Sequence, residues 1–304
     1  MSQIDPFSTG GPGSGVGSRR VLSCGLSFSV VEPAELVLQV TASDSAGSVM
    51  AERLDARSEG EPVATAELLG THGTRSHVVR APAGRLTVAY RSEIDVGSNR
   101  PVRDPVVWPV PGDPGGRAAP DPSVSHSRLV YLRPSRYCPS DHLVGFAVAE
   151  FGVDSSVDTR VRAITEWIRQ RVGYVAGSSS VHDSAEHTLL TGVGTCRDFA
   201  HLGVALCRAV GIPARFASVY APGLFPMDFH AVFEFMEDGR WFACDATDLA
   251  PRPAMVRIAT GRDAADAAFA SVLAGIATLE HLEVTATVGD DLPVDDRDQL
   301  VELA

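Results

Sequence analysis

Five cysteines are spread over the 304 residues, at 24, 138, 196, 207 and 244, and the surroundings of Cys196 are those that turn a thiol into a nucleophile. It lies in Gly194-Thr195-Cys196-Arg197-Asp198-Phe199, which reads as the opening of a helix that ends before Gly211. Thr195 with Asp198 three residues on resembles a capping box, with Asp in the usual Glu place. Cys196 then takes the first helical position, where free backbone N–H groups and the positive end of the helix dipole favour a thiolate. The same N–H groups suit an oxyanion, and acyl transfer asks both of its nucleophile. Cys207 projects near the same face but about 16 Å further along the axis at 1.5 Å per residue, with no dipole to activate it. Cys207, Cys244 and Cys24, the last on the apolar face of a strand, are read as packing.

A base and its orienter come from a second, independent stretch. Phe229-His230-Ala231-Val232-Phe233-Glu234-Phe235-Met236-Glu237 is followed by Asp238-Gly239 and then Arg240-Trp241-Phe242-Ala243-Cys244-Asp245. Asp-Gly between two apolar runs is a strong hairpin signal. With Asp238-Gly239 as the loop, Glu237 faces Arg240, Val232 faces Asp245 and His230 faces Thr247. His230 and Asp245 become diagonal neighbours on one face, about 7–8 Å apart at the backbone, so their side chains can meet. An Asp that holds an imidazole in one tautomer is the arrangement of triad chemistry. The chain order is Cys, His, Asp.

These residues need a helix, a hairpin and a body to hold them. Residues 1–20 are dominated by Gly and Ser and are read as a tail. From 21 to 100 the period is two: Leu22, Cys24, Leu26, Phe28 and Val30 alternate with small polar residues, as do Leu86, Val88, Tyr90 and Ile94. With turn signals at Glu32-Pro33, Ser45-Ala46-Gly47, Glu59-Gly60 and Pro82-Ala83-Gly84, a small β-sandwich of six or seven strands is expected. Seven prolines between Pro101 and Pro122 mark a linker, 101–123, expected to hold neither ladder nor helix, with Trp108 pinning it to the body.

After the linker the period becomes 3.6. Val157, Val161, Ile164, Ile168 and Val172 form one stripe, with Trp167 beside it and Asp154 or Ser155 as cap. A shorter helix is expected over Ser184–Leu190, stopping at Gly192. Residues 255–304 read as a strand at Met255–Ala259, an Ala-rich helical stretch and a strand near Leu282–Val288. The end, 291–304, reads as a solvated acidic tail.

Composition bounds the function. The net charge of −12 argues against a nucleic-acid or anionic-membrane binder. The 26 basic residues are all arginine, so the chain cannot be its own lysine acceptor in a crosslinking reaction. Scattered cysteines argue against a disulfide framework or a structural zinc. His182, His187 and His201 lie near Cys196 in sequence but at poor spacing for a metal. No apolar leader is apparent, which places the chain in the cytoplasm by expectation.

The stretch from Gly192 through Cys196 to Leu202, with Cys207–Arg215, His230 opening a strand and Asp245 closing the next, resembles the transglutaminase-like superfamily. Tyr131–Cys138 and Gly261–Asp266 also resemble segments of its bacterial branch, which carries an N-terminal β-domain. The resemblance implies an α+β fold: a core similar to papain-like proteases, with the nucleophile's helix packed on an antiparallel sheet, over 124–290, after the β-domain at 21–100. It makes Cys196 the nucleophile, His230 the general base and acid, and Asp245 the orienter. The chemistry it implies is attack on an amide carbonyl of a protein or peptide substrate, giving a thioester that water or an amine resolves. No cofactor, metal, nucleic acid or membrane partner is expected, and no calcium-loop pattern is present.

Two alternatives stand beside this one. An arylamine acetyltransferase has a similar Cys/His/Asp order, but with Arg-Gly-Gly-x-Cys where this chain has Gly-Val-Gly-Thr-Cys. A scaffold with an idle triad, whose β-domain binds a partner, would show an inert Cys196. Within 261–266, Arg262 is expected to pair with Asp263 and Asp266. The loop 221–228, with Pro222, Gly223, Pro226 and Asp228, leads into His230 and is expected to border the cleft.

Overall fold

The alternating segments form strands, but fewer of them turn back than the proline and glycine signals imply. A computed structural model describes residues 19–97, 108–109, 118–119, 122–289 and 291–304. β1 (Arg19–Leu38) is one strand of 20 residues that runs straight through Glu32-Pro33. The expected turn there is a set of register shifts between Val30 and Leu36, where proline is tolerated because the ladder is already interrupted. β2 (Ser48–Ser58), β3 (Glu61–Pro62), β4 (Thr65–Leu69), β5 (Arg75–Ala81) and β6 (Gly84–Asp95) follow. Both β5 and β6 pair antiparallel with β1, so Pro82-Ala83 bends one long strand and does not reverse it. β4 and β2 line the far sides of β5 and β6.

The expected linker lies largely outside the described residues. Within it β7 (Trp108–Pro109) pairs with β8 (Ala118–Ala119), a short ladder the prolines were expected to prevent. The Trp108 side chain lies outside the described residues, and α1 (Pro122–Tyr131) begins with proline at its first position.

The second half is helical first. α2 (Val144–Phe151) has no counterpart in the sequence reading. α3 (Val157–Arg171) buries Val161, Ile164 and Ile168 as the stripe requires. Its cap is Ser156, not Asp154 or Ser155, and the Ser156 side chain accepts from the Thr159 N–H at 3.2 Å. Trp167 packs against Phe146 and Phe151. β9 (Gly173–Tyr174), α4 (Ala185–Thr191), β10 (Val193–Gly194) and α5 (Cys196–Ala209) lead to the nucleophile candidate. Gly192 ends α4 at φ 67°, the left-handed conformation that suits glycine there.

β11 (Ala214–Tyr220), β12 (Phe229–Glu237), β13 (Arg240–Cys244) and β14 (Val256–Gly261) form an antiparallel sheet ordered β13-β12-β11-β14. α5 lies on it so closely that a Cβ at Gly203 would stand 2.5 Å from Phe233 Cε1. Leu202, Leu206, Cys207, Phe233 and Phe235 fill this layer with α2 and α3.

The last strand, β15 (Ala270–Val288), is 19 residues long: it includes the strand expected near Leu282–Val288 and extends back over the end of the expected Ala-rich helix. It pairs with β1 from Arg20↔Val288 to Leu38↔Ala270 and completes the curled seven-stranded sheet. Pairing along the whole of β1 outweighs alanine's preference for helix, which is worth only tenths of a kcal/mol per residue, about 0.7 at most. The curled sheet shares one core with the second sheet: Leu22, Leu36 and Tyr90 meet Phe216, Tyr220, Val256 and Ile258. Across that seam the Tyr220 hydroxyl donates to the Val40 carbonyl at 2.7 Å, and the Arg20 guanidinium to the Ala254 carbonyl at 3.0 Å. A buried ion triad, Arg215–Glu234–Arg257, sits in the second sheet, with the Arg215 guanidinium 4.1 Å from the Trp241 ring centre.

Residues 291–304 do not behave as a solvated tail. Asp295 accepts from Arg252, Asp298 from Arg162, and Arg297 pairs with Asp248. The Ala243 N–H donates to the Val301 carbonyl at 2.8 Å, and Leu303 is buried in a small cluster with Ala217, Val219 and Val232. The acids find arginines because the arginines line the groove the segment occupies. Among the described residues no helix is long and apolar enough to cross a membrane.

Candidate active site

Cys196 is the first residue of α5, with Thr195 as its cap. Asp198 Oδ2 accepts from the Thr195 N–H at 2.8 Å and Oδ1 from the Ser179 hydroxyl at 3.0 Å, so the helix start is pinned to the 179 loop. The Cys196 side chain is partly exposed, whereas Cys24, Cys138, Cys207 and Cys244 are buried. Burial pushes the thiols of Cys24 up to about 11 and of Cys138 and Cys244 to about 12, and raises Cys207 well above the ordinary thiol value.

The hairpin has the register its Asp-Gly loop implies: Glu237 faces Arg240 and Phe233 faces Cys244. Asp238 and Gly239 both have positive φ, 49° and 77°, as such a loop requires. β13 ends at Cys244, so Asp245 leaves the ladder and its side chain swings to His230. His230 Nε2 lies 2.8 Å from Asp245 Oδ2. The other ring nitrogen is left for Cys196, which hydrogen-bonds the imidazole. Sequence-separated residues 196, 230 and 245 are thus one contiguous chain of contacts.

Burial works against a charged imidazole at 230, but the carboxylate of Asp245 and the contact with Cys196 outweigh it and push His230 up to about 10. Asp245 is held below the usual carboxylate range: burial would raise it, and the His230 charge and bonds from His230 and Thr247 overcome that. Asp245 Oδ1 accepts from the Thr247 N–H at 2.9 Å and from its hydroxyl at 2.6 Å. The hairpin register sets Thr247 opposite His230, and a Thr two residues after an Asp is the local signal by which this turn could be found.

Tyr174 was not singled out from sequence. The parallel pairing of β9 with β10, Gly194↔Tyr174, carries it to the helix start. Its hydroxyl accepts from the Cys196 N–H, and burial together with nearby negative charge raises it above the ordinary phenol range. This hydroxyl therefore occupies the place the sequence reading assigned to an oxyanion.

The neighbouring histidines are elsewhere. His201 is fully buried, accepts from the Ala264 N–H at 3.1 Å and stacks on Tyr137, and burial lowers it to about 3. His187 approaches Asp183, and His182 bonds Ser180 through its backbone. Among the described residues no group of His, Cys, Asp and Glu is arranged to hold a metal ion. Arg262 pairs with Asp266 as expected, but Asp263 accepts from the Tyr137 N–H at 3.0 Å and so ties 131–138 to 261–266.

The family profile described as the Transglutaminase-like superfamily matches residues 148–246, a span that contains Cys196, His230 and Asp245. A crystal structure described as "a Putative Cysteine Protease from Cytophaga hutchinsonii" is 34% identical, covers 94% of this chain and 96% of that one, and superposes with a TM-score of 0.78. The uncharacterised protein ML0607 of Mycobacterium leprae is 27% identical over 201 residues, 62% of this chain and 68% of its own length. The periplasmic domain of TgpA from Pseudomonas aeruginosa is 17% identical with a TM-score of 0.38, covering 78% of this chain and 91% of that one. With 94% of the chain aligned on a relative at that identity, and the profile covering the Cys196 helix and both strands of the hairpin, the chain belongs to the transglutaminase-like superfamily.

Proposed function

We propose that this chain is a cysteine-dependent acyl-transfer enzyme that acts on an amide of a protein or peptide. The observation that carries the reading is the unbroken contact from the partly exposed Cys196 through buried His230 to Asp245, whose second oxygen is held by Thr247. The Cys196 sulfur, as thiolate beside the imidazolium, attacks the amide carbonyl and forms the carbon–sulfur bond. As the tetrahedral intermediate collapses, His230 gives its proton to the leaving amine, the carbon–nitrogen bond breaks, and a thioester remains. Water or a second amine then attacks the thioester, giving its proton back to the neutral imidazole, and the thiolate leaves. Asp245 keeps the ring oriented and its charged form favourable throughout. The oxyanion takes the Cys196 N–H in place of the Tyr174 hydroxyl, which turns from accepting that N–H to donating into the oxyanion as the second donor. The protease description of the Cytophaga relative agrees with this chemistry.

The test is iodoacetamide labelling against pH, read at all five cysteines by peptide mass spectrometry, in wild type and His230→Ala. Cys196 is expected to react well below pH 7 and at least tenfold faster than the other four, and to lose that advantage in the variant. Equal reactivity at Cys196 and Cys207 would overturn the assignment.

A further inference from the structure

Asp245 sits in a loop whose two ends are tied together away from the candidate site. Residues 244–251 run off the end of β13 and carry both Asp245 and Thr247, the pair that fixes His230. Arg252 closes this loop at its base. Its Nη1 donates to the Ala243 carbonyl at 3.0 Å, a buried hydrogen bond. β13 is an edge strand, ordered β13-β12-β11-β14 in its sheet. Ala243 turns both backbone groups to that outer edge, and its N–H donates to the Val301 carbonyl at 2.8 Å. The last residue but one before Asp245 is thus held from outside the sheet, on one side by Arg252 and on the other by the C-terminal segment.

Arg252 is itself fixed by that segment. Asp295 accepts from its backbone N–H at 2.8 Å, from Nε at 3.0 Å and from Nη2 at 2.8 Å. A guanidinium gripped by both oxygens of one carboxylate has a single orientation, and this one is buried. Close packing does not duplicate the tie. Cys244, Asp245, Arg252, Asp295 and Leu300 border a cavity of about 230 Å³. A loop that faces a cavity lacks neighbours on that side, so its position depends on the polar contacts at its base.

We propose that Arg252, clamped by Asp295, positions Asp245 against His230, so that residues 291–304 belong to the candidate site and do not merely cover the sheet. This takes its purpose from the acyl-transfer reading, but it is tested on the imidazole and the thiol, without turnover. Arg252 touches neither substrate nor reacting atoms. It is a positioning residue that acts through the Ala243 carbonyl, and a shift of about 1 Å in such a support can cost about a hundredfold in rate.

The test compares wild type with Arg252→Gln, Asp295→Asn and Glu302→Gln in the full chain. Two quantities are read: the His230 titration by NMR and the iodoacetamide rate at Cys196 at pH 7. Arg252→Gln should move the His230 midpoint at least about one pH unit lower and slow Cys196 about tenfold. Asp295→Asn leaves Arg252 and all of β13 in place. It should act in the same direction to a smaller extent, and it carries the test if Arg252→Gln does not fold. Glu302→Gln removes an exposed contact of the same segment with Arg240, at the far end of β13, and should leave both quantities as in wild type. An unchanged His230 midpoint in the folded variants overturns the proposal. So does an equal shift in Glu302→Gln, which would make the effect a general loosening of the segment. A wild-type Cys196 no faster than Cys207 would instead count against the acyl-transfer reading, and the His230 midpoint would still decide whether the clamp acts.

Discussion

Thr247 grips Asp245 on the side away from His230, with its backbone N–H and its hydroxyl both on Oδ1, at 2.9 and 2.6 Å. A carboxylate held at both oxygens cannot rotate, and the imidazole it faces is fixed with it. Replacing the hydroxyl tests this directly. Thr247→Val removes one hydrogen bond to a charged group, worth about 1.5–3 kcal/mol. Cys196 labelling at neutral pH should slow by about tenfold with the fold intact by circular dichroism. A rate within twofold of wild type would show that the N–H alone suffices.

Asp245→Asn separates charge from shape. With the carboxylate gone, burial acts on His230 with little opposition, so its titration should fall from about 10 to near or below the ordinary imidazole range. The raised value means that the charged ring contributes stability fully present below the unfolded pKa of about 6.5 and lost as pH rises through about 10. In the variant that alkaline loss should vanish, together with the fast labelling of Cys196 at neutral pH. Histidine NMR titration reads the first and peptide mass spectrometry the second. An imidazole that still titrates near 10 would mean that Cys196, not Asp245, holds the proton there.

Gly203 supplies a prediction whose sign is informative. In an exposed helix, Gly→Ala gains about 0.8–1 kcal/mol. Here the added methyl meets the Phe233 ring, and overpacking costs about 1–3 kcal/mol. Gly203→Ala is therefore expected to lower the urea midpoint, and a raised midpoint would mean that Phe233 moves aside freely.

Glu234 is fully buried between Arg215 and Arg257. Burial opposes its charge, but the two guanidinium groups hold it down to about 2. Its contribution to stability is present above the ordinary carboxylate value of about 4.3 and lost as pH falls through about 2. Glu234→Gln leaves two buried cations uncompensated, and about 3–5 kcal/mol should be lost at pH 7, less at pH 2. A urea titration at both pH values checks it, and a loss below about 1 kcal/mol at pH 7 would count against the triad as a coupled unit.

Arg252 anchors residues 291–304 through Asp295, and its side chain also reaches the Ala243 and Asp296 carbonyls. Arg252→Leu should speed proteolytic nicking between 291 and 300 severalfold. Unchanged nicking would mean that Val301 and Leu303 hold the segment alone.

The site was legible in sequence where its geometry is local. The Asp238-Gly239 loop fixes the register of β12 and β13, and the Thr195–Asp198 box fixes the start of α5. Residues that join the site by distant pairing left little mark: Tyr174 arrives through a two-residue parallel ladder, and nothing in Gly173-Tyr174 announces it. The same limit holds for the fold. Pro33 and Pro82 signal turns locally, yet Pro33 falls within β1, whose continuity is imposed by β15 about 240 residues away, and Pro82 falls between β5 and β6, which β1 aligns end to end. The strand near Leu282–Val288 is legible, but the Ala-rich stretch before it reads as helix by composition and is a strand because β1 offers it an edge. The acids of 291–304 read as solvated because the arginines that receive them, at 162, 240 and 252, are remote in sequence.

The pairing of β1 with β15 also sets an order of events during synthesis. Arg20 leaves the ribosome long before Val288, its partner, and at about 5–20 residues per second the interval is roughly 13–54 s. Throughout that time β1 presents an open edge, a hazard for pairing with other nascent chains. The helix and sheet that carry Cys196 and His230 are complete earlier, by Gly261. A chain stopped at residue 269 is therefore expected to sediment with aggregates while the full chain remains dispersed. The half that carries Cys196 and His230 is complete first, while β1, made before it, waits longest for a neighbour.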